Sequence, residues 1–325
     1  IVEPRKSLSW DEFLESSPNM SIALDGYVND APNYSEKTLH INFDHHHGVV
    51  REATMATAEQ VYMAIKGGLF ESFKKDGHPF ANVYVNDCDQ DTCLAVFILD
   101  NYKLFEGTAS IPNFNRLLNV DSKFDITGGA FPVNLRDEIL ERHAWVFEPY
   151  SNLRKSGALA NANEEVMKNC LEAVMARIHK FILGESERLE LDSRCTILKT
   201  SEYINNFWLV DEPGGTSARY HLFSKGMNAF IAVVAKRPDG RYVYSIGRKS
   251  RYIPLPIQEI FVILNEREGM TRENGWGGSD IIGGSSRSLA SGLEPEEVFD
   301  IVNNYLKKKN GRNKSLKKKK NKSGK

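Results

Sequence analysis

The stretch Ile41–Gln60, INFDHHHGVVREATMATAEQ, carries the fold. Together with the residues before it, TLHINF alternates as a strand does, and the chain then breaks into Asp44, His45, His46 and His47. From Ala56 a helical pattern follows, ATAEQVYMAIKGGLFESF. Strand, polar loop and helix in that order mark an α/β protein. In an open parallel sheet, functional side chains gather in loops at the carboxyl ends of strands, and these four residues occupy such a loop.

The neighbouring segments repeat the pattern. SIALDGYV reads as a strand that ends at Asp25, and ANVYVND reads as another, followed by the helix DTCLAVFILDNYKLF. Asp87, Asp89 and Asp91 alternate where that strand becomes a helix. LLNVD reads as a further strand, and NVDSKFD offers Asp121 and Asp125. Two long helical patterns come next, LRDEILERHAWVFEPYSNL and NEEVMKNCLEAVMARIHKFILGES, separated by the loop KSGALANA. A second α/β unit starts near Thr196, where Pro238, Asp239 and Gly240 turn FIAVVAKR into RYVYSIGR. No internal repeat is evident. The expected organisation is α/β: a parallel-sheet metal-binding domain over 1–134, a helical connector over 135–194, a smaller α/β domain over 195–306 and a disordered basic tail over 307–325.

Composition sets the outer limits. Apolar residues make up 41% of the 325 and charged residues 26%, which suits a folded globular chain and excludes a disordered one. Cys88, Cys93, Cys170 and Cys195 form no CxxC pair, and the N-terminus has no charged-then-apolar segment, so a reducing, cytoplasmic setting is expected. No apolar run approaches the roughly 20 residues that cross a bilayer. The longest, AFIAVVA from Ala229, reads as a buried strand. Of the 42 Lys and Arg, eleven follow Asp300 with no acid among them, so 31 remain on the body against all 43 Asp and Glu. The low-complexity segment from Lys307 reads either as an electrostatic arm for nucleic acid or anionic membrane, or as a solvated terminus with no partner.

The two polar clusters carry the chemistry. Three carboxylates at Asp87, Asp89 and Asp91 repel one another and draw a cation. Imidazole nitrogen with carboxylate oxygen suits Mn, Fe, Co or Zn, and a set large enough for two ions suits hydrolysis at phosphorus. Each member also has a plainer use: Asp25 as a turn or cap residue, Asp91 as a cap of the helix DTCLAVF, His47 as a solvated loop residue. His40 alternates with Asn42 on a strand face, His179 sits in a long helix, and His78, His143 and His221 have no acidic cluster nearby, so all five read as structural. It is the joint occurrence of the two clusters that favours a metal centre.

The tripeptide Asp44, His45, His46 and the ATMATAEQVY after it resemble the DHH phosphoesterase superfamily. VYSIGRKS, with Arg248, and GGSDIIGGS resemble its DHHA1-like C-terminal domain, so the resemblance covers nearly the whole body. It implies a metal-dependent phosphoesterase with two Mn2+ ions, or Mg2+, Co2+ or Fe2+ in their place. The substrate would be a short oligonucleotide, a cyclic dinucleotide or a small phosphorylated metabolite. The implied metal ligands are Asp25, Asp44, His45, Asp87, Asp89 and Asp121, with Asp125 as the alternative to Asp121. Asp44, His45 and His46 are the implied catalytic residues, one histidine ligating metal and the other donating to a phosphoryl oxygen. Arg248 and Arg287 would hold the phosphate across a cleft between the domains, with Gly278, Ser279, Gly283, Gly284 and Ser285 offering backbone and hydroxyl donors.

Two departures accompany the resemblance. DCDQD follows the DHH strand by about 40 residues, where the family's aspartate loop normally precedes it. Asp280 stands where the family's glycine-rich motif usually has a histidine, and an anion there repels phosphate. They motivate a second expectation, a catalytically inactive nucleotide- or phosphate-binding regulatory module. A homodimer is compatible with either.

Overall fold

The structure is a computed structural model that describes residues 1–286 and 288–320. Arg287 and the last five lysine-, serine- and glycine-rich positions, 321–325, lie outside the described residues. The chain forms two units, Ile1–Ile126 with Arg136–Glu190, and Thr127–Leu135 with the chain from Leu191 onward. The helices expected as a connector over 135–194 thus cluster mostly with the first unit.

In the first unit, α1 (Trp10–Ser16) precedes β1 (Ser21–Leu24), β2 (Asn33–Ser35) and β3 (His40–Phe43). Next come α2 (Thr57–Lys66), α3 (Leu69–Ser72), the small hairpin β4 (Lys74–Lys75) and β5 (His78–Pro79), and β6 (Asn82–Tyr84). Helices α4 (Gln90–Asp100), α5 (Pro112–Thr127), α6 (Ile139–Val146), α7 (Glu148–Lys155) and α8 (Glu164–Ile182) complete it. The sheet order is β2-β3-β1-β6, with β1 parallel to both β3 and β6 and β2 antiparallel at one edge. β1, one of two inner strands, has all four of its residues buried, as a strand covered on both faces requires. The register pairs Leu24 with Phe43, so Asp25 and Asp44 leave neighbouring strand ends together. The Asp25 N–H donates to the Phe43 carbonyl at 3.0 Å and ties those ends.

Several expected elements change form. LLNVD is not a strand but part of α5, whose buried residues Phe114, Leu117, Leu118, Asp121 and Phe124 recur at helical spacing. The helix expected over ATAEQVYMAIKGGLFESF breaks between α2 and α3 at Gly68, which adopts φ 86. LRDEILERHAWVFEPYSNL divides into α6 and α7 around Phe147, with a proline in the first turn of α7.

The second unit runs β7 (Thr196–Thr200), β8 (Phe207–Asp211), α9 (Thr216–Ser224), β9 (Ala229–Lys236), β10 (Tyr242–Arg248) and α10 (Ile257–Glu268). β11 (Gly277–Gly278), β12 (Ile282–Gly284) and α11 (Pro295–Lys320) follow. Its sheet has the order β11-β12-β10-β9-β8-β7, with β8 and β9 parallel and the other pairs antiparallel. β9 and β10 form the expected hairpin. Alternate strand residues serve two cores: Leu209, Ile231, Ile246, Leu264, Trp276 and Val298 on one face, and Val210, Ala232, Leu222 and Phe223 on the other. A Cβ on Gly283 would stand 2.2 Å from the Gly277 carbonyl oxygen, and one on Gly284 would stand 2.1 Å from that of Tyr244. The glycine-rich segment is therefore required by close strand approach. Past Leu306, α11 continues through the lysines to Lys320, where a disordered tail was expected. Val298, Val302 and Leu306 bury one stripe of it, Lys309 pairs with Glu259 at 2.8 Å, and lysine is a good helix former. No helix among the described residues is long and apolar enough to cross a membrane.

Candidate metal centre

Four elements of the first unit deliver the polar groups. Asp25 leaves β1, and Asp44, His45 and His46 leave β3. Asp91 stands in the first turn of α4 and Asp125 in the last turn of α5. Asp44 shapes its own loop: Oδ2 accepts from the backbone N–H groups of His46 and His47, both at 2.8 Å, and Gln60 Nε2 donates to its carbonyl oxygen at 2.8 Å. That turn sends the His45 ring inward, fully buried, and leaves His46 partly open to solvent.

His45 Nε2 is surrounded by acid. Asp125 Oδ2 lies 2.5 Å away, and Asp25 Oδ1 and Asp91 Oδ2 each lie at 3.7 Å. Yet both ring nitrogens of His45, and Asp125 Oδ2 as well, are buried without a hydrogen-bond partner. Buried polar atoms are normally satisfied. Two ligands side by side on an ion with bonds of about 2.1 Å stand about 3 Å apart, which these separations bracket.

Two groups of potential ligand atoms result, each with all atoms within 4.8 Å of one another: Asp25, His45 and His46, and His45, Asp91 and Asp125. They share His45, and one ring nitrogen binds one ion. Asp25 Oδ1 also lies 2.9 Å from His46 Nε2, so this carboxylate faces both histidines. Thr57 holds the two acids in register: its hydroxyl donates to Asp25 Oδ1 at 2.9 Å and its backbone N–H to Asp91 Oδ2 at 2.7 Å. The residues present fit divalent ions on donor chemistry and on the unpartnered buried atoms alike.

The electrostatics agree. Burial first, then the charges of Asp125, Asp25, Asp121 and Asp89, pushes the pKa of Asp91 well above the usual carboxylate range. Asp89 is pushed up the same way, by burial and by Asp25, Asp87 and Asp125. Burial also raises Asp25, but the charge and hydrogen bond of His46, with His45 and Thr57 behind them, hold it well below its ordinary value. Burial opposes a proton on His46, yet the charge and hydrogen bond of Asp25 outweigh it and raise that pKa to about 9. So many carboxylates in one buried volume are a charge that a cation neutralises.

Among the expected ligands, Asp25 and His45 come together, joined by His46. Asp44, Asp87, Asp89 and Asp121 fall outside both groups. Asp89 caps α4 through the Thr92 N–H at 2.9 Å, and Asp87 Oδ1 accepts the adjacent Cys88 N–H at 2.7 Å. Asp121 is hydrogen-bonded to buried His143 at 2.7 Å, so that histidine, expected to be structural, supports the acidic cluster. The second group instead contains Asp91 and Asp125, the latter already the alternative to Asp121.

In the second unit, Arg248 donates through Nε to the Asp280 carbonyl oxygen at 2.8 Å and through Nη1 to that of Ile253 at 3.0 Å. Ser279 closes its own turn, accepting from the Ile281 and Ile282 N–H groups, and the Ser285 hydroxyl accepts the Tyr244 N–H at 3.0 Å. Ser286 is buried and accepts the Leu289 N–H at 3.1 Å. No family model, curated protein or solved structure compared with the chain matches it.

Proposed function

We propose that the first unit is a divalent-metal phosphoesterase centre, in line with the resemblance to the DHH superfamily. The observation that carries this reading is His45 Nε2, buried and without a hydrogen-bond partner among Asp25, Asp91 and Asp125. His45, Asp91 and Asp125 would hold one ion, and Asp25 with His46 a second, with Asp25 facing both. Bound ions would supply Lewis acidity toward a phosphoryl oxygen and an acidified water, the chemistry of phosphoester hydrolysis. His46 stands at the open side next to the substrate, and its Nε2 must give up a proton before it binds its ion. Asp44 keeps both rings aimed by fixing the turn, and Thr57 fixes Asp25 against Asp91. Mn2+ is the expected ion, with Mg2+, Co2+ or Fe2+ as substitutes. The substrate class is a phosphodiester or phosphomonoester of a short oligonucleotide, cyclic dinucleotide or small metabolite. Nucleic acid as a partner of the lysine-rich end of α11 belongs to the same proposal.

The test is metal analysis of the purified chain, followed by a Mn2+-supplemented screen of phosphomonoesters and phosphodiesters with the wild type and His45→Ala. Bound metal and hydrolysis that both disappear in the variant support the reading; equal metal content and rate in the two proteins reject it.

A second reading, a phosphate- or nucleotide-binding regulatory module without turnover, draws support from Asp280. Its carboxylate stands 2.9 Å from Arg251 Nε and 3.6 Å from Arg248 Nη2, so it competes with a substrate phosphate for those cations. Binding of a substrate analogue by the metal-loaded chain, with no turnover of any ester in the screen, would favour this alternative.

A further inference from the structure

Arg51 opens the short 3-10 turn Arg51–Ala53, in the loop that carries the histidines toward α2. Its Nη2 donates to the backbone carbonyl of Asp125 at 2.9 Å and to Asp125 Oδ1 at 3.2 Å. Its Nε is buried and has no acceptor. The guanidinium also acts on His46, whose proton affinity it lowers. Val50 and Met55, on either side of the turn, are about half exposed, so the turn borders solvent. A permanently charged fork thus stands beside a carboxylate of one ligand group and a histidine of the other.

That placement becomes costly once cations enter. An ion drawing on Asp125 weakens the hold of that carboxylate on Arg51 and adds a like charge nearby. An oxyanion between the ion and the guanidinium removes the repulsion and gives the unpartnered Nε–H an acceptor. Tetrahedral phosphoryl oxygens match the two-pronged donor geometry of arginine.

We propose that Arg51 is the residue that binds the phosphoryl group of the substrate, from the same unit and the same loop as the metal ligands. The inference rests on the metal-centre reading given above and deepens it. It moves phosphate recognition away from Arg248, whose Nε and Nη1 already donate to main-chain carbonyls.

The test uses the full chain loaded with Mn2+, titrated with inorganic phosphate by calorimetry, in the wild type, Arg51→Ala and Arg51→Lys, with Mn2+ content measured in each. The expected result is equal Mn2+ content and phosphate binding weakened at least about tenfold in Arg51→Ala, the loss of a charged hydrogen bond. Arg51→Lys should recover only part, because an ammonium is a point charge rather than a fork. Equal phosphate affinity in all three proteins, or no phosphate binding by the wild type, overturns the proposal. So does loss of Mn2+ from Arg51→Ala, which would make Arg51 a support for Asp125 alone. If the wild type binds no Mn2+, the metal-centre reading fails; the same phosphate titration on metal-free protein then decides the role of Arg51 by itself.

Discussion

Asp91 lies in the first turn of α4, yet its carboxylate closes the N-terminus of a different helix. Oδ2 accepts the Thr57 N–H at 2.7 Å and Oδ1 the Ala58 N–H at 2.8 Å. α2 has no side-chain cap of its own, since Ala56 occupies the cap position. One carboxylate therefore caps a helix and presents an oxygen to His45.

The two roles separate on substitution. Asp91→Asn keeps an acceptor for one amide while removing a charge that Asp125, Asp25, Asp121 and Asp89 all oppose. Without metal, this variant should melt at or above the wild-type temperature. With Mn2+ it should show little of the rise seen in the wild type. Differential scanning calorimetry in chelator and in Mn2+ checks both halves, and a variant that retains the full metal-induced rise would exclude Asp91 from the ligand set.

Asp121 and Asp125 share one face of α5 and should differ sharply in effect. Asp125→Asn removes a proposed ligand and should lower Mn2+ affinity by more than about a hundredfold, whereas Asp121→Asn, outside both ligand groups, should lower it by about tenfold. Metal titration of the two variants measures the contrast. The reverse order would favour Asp121, the other of the two aspartates offered by NVDSKFD, as the ligand.

Metal affinity should climb with pH. In the metal-free protein the pKa of His46 is raised from 6.5 to about 9, so its contribution to stability is fully present below 6.5 and is lost as pH rises through about 9. Asp25 is lowered from 3.8, so its contribution is present above 3.8 and is lost in acid. The raised carboxyls of Asp91 and Asp89 act in the opposite sense: the folded state holds their protons, and rising pH removes that stability. An ion at Asp25 and His46 must displace the His46 proton, so apparent Mn2+ affinity should rise by about tenfold per pH unit until about pH 9. Titrations at three pH values test the slope, and a flat profile would mean that His46 is no ligand.

Much of this site is legible in the sequence because strand ends are. Asp25 and the Asp44–His46 run follow alternating or apolar segments that the parallel sheet places side by side. The candidate ligands of the α4 and α5 segments follow a different periodicity. Asp87, Asp89 and Asp91 look equivalent as an alternating loop, but α4 begins at Gln90, so Asp89 becomes its cap and Asp91 belongs to the helix. No stripe marks this in the sequence, because α4 is buried on nearly every face and Asp91 simply joins Thr92, Cys93, Leu94 and Ala95 inside. Likewise LLNVD is apolar enough to pass for a strand, and only the longer pattern through Phe114 and Phe124 shows that Asp121 and Asp125 are one helical turn apart. In the second unit the glycine-rich run suggested a phosphate cradle, whereas strand contacts at Gly283 and Gly284 demand those glycines whatever binds there.

Thr57 joins groups that the chain keeps far apart, Asp25 at the end of β1 and Asp91 in α4. An unfolded chain has no means of gathering them, so an ion held there would bind the native state alone. By mass action, free metal at a hundred times its dissociation constant would then add about 2.7 kcal/mol to the unfolding free energy. A chelator would act on this protein as a mild denaturant. Its resistance to proteolysis in a cell would follow the local supply of the metal as much as any property of the polypeptide.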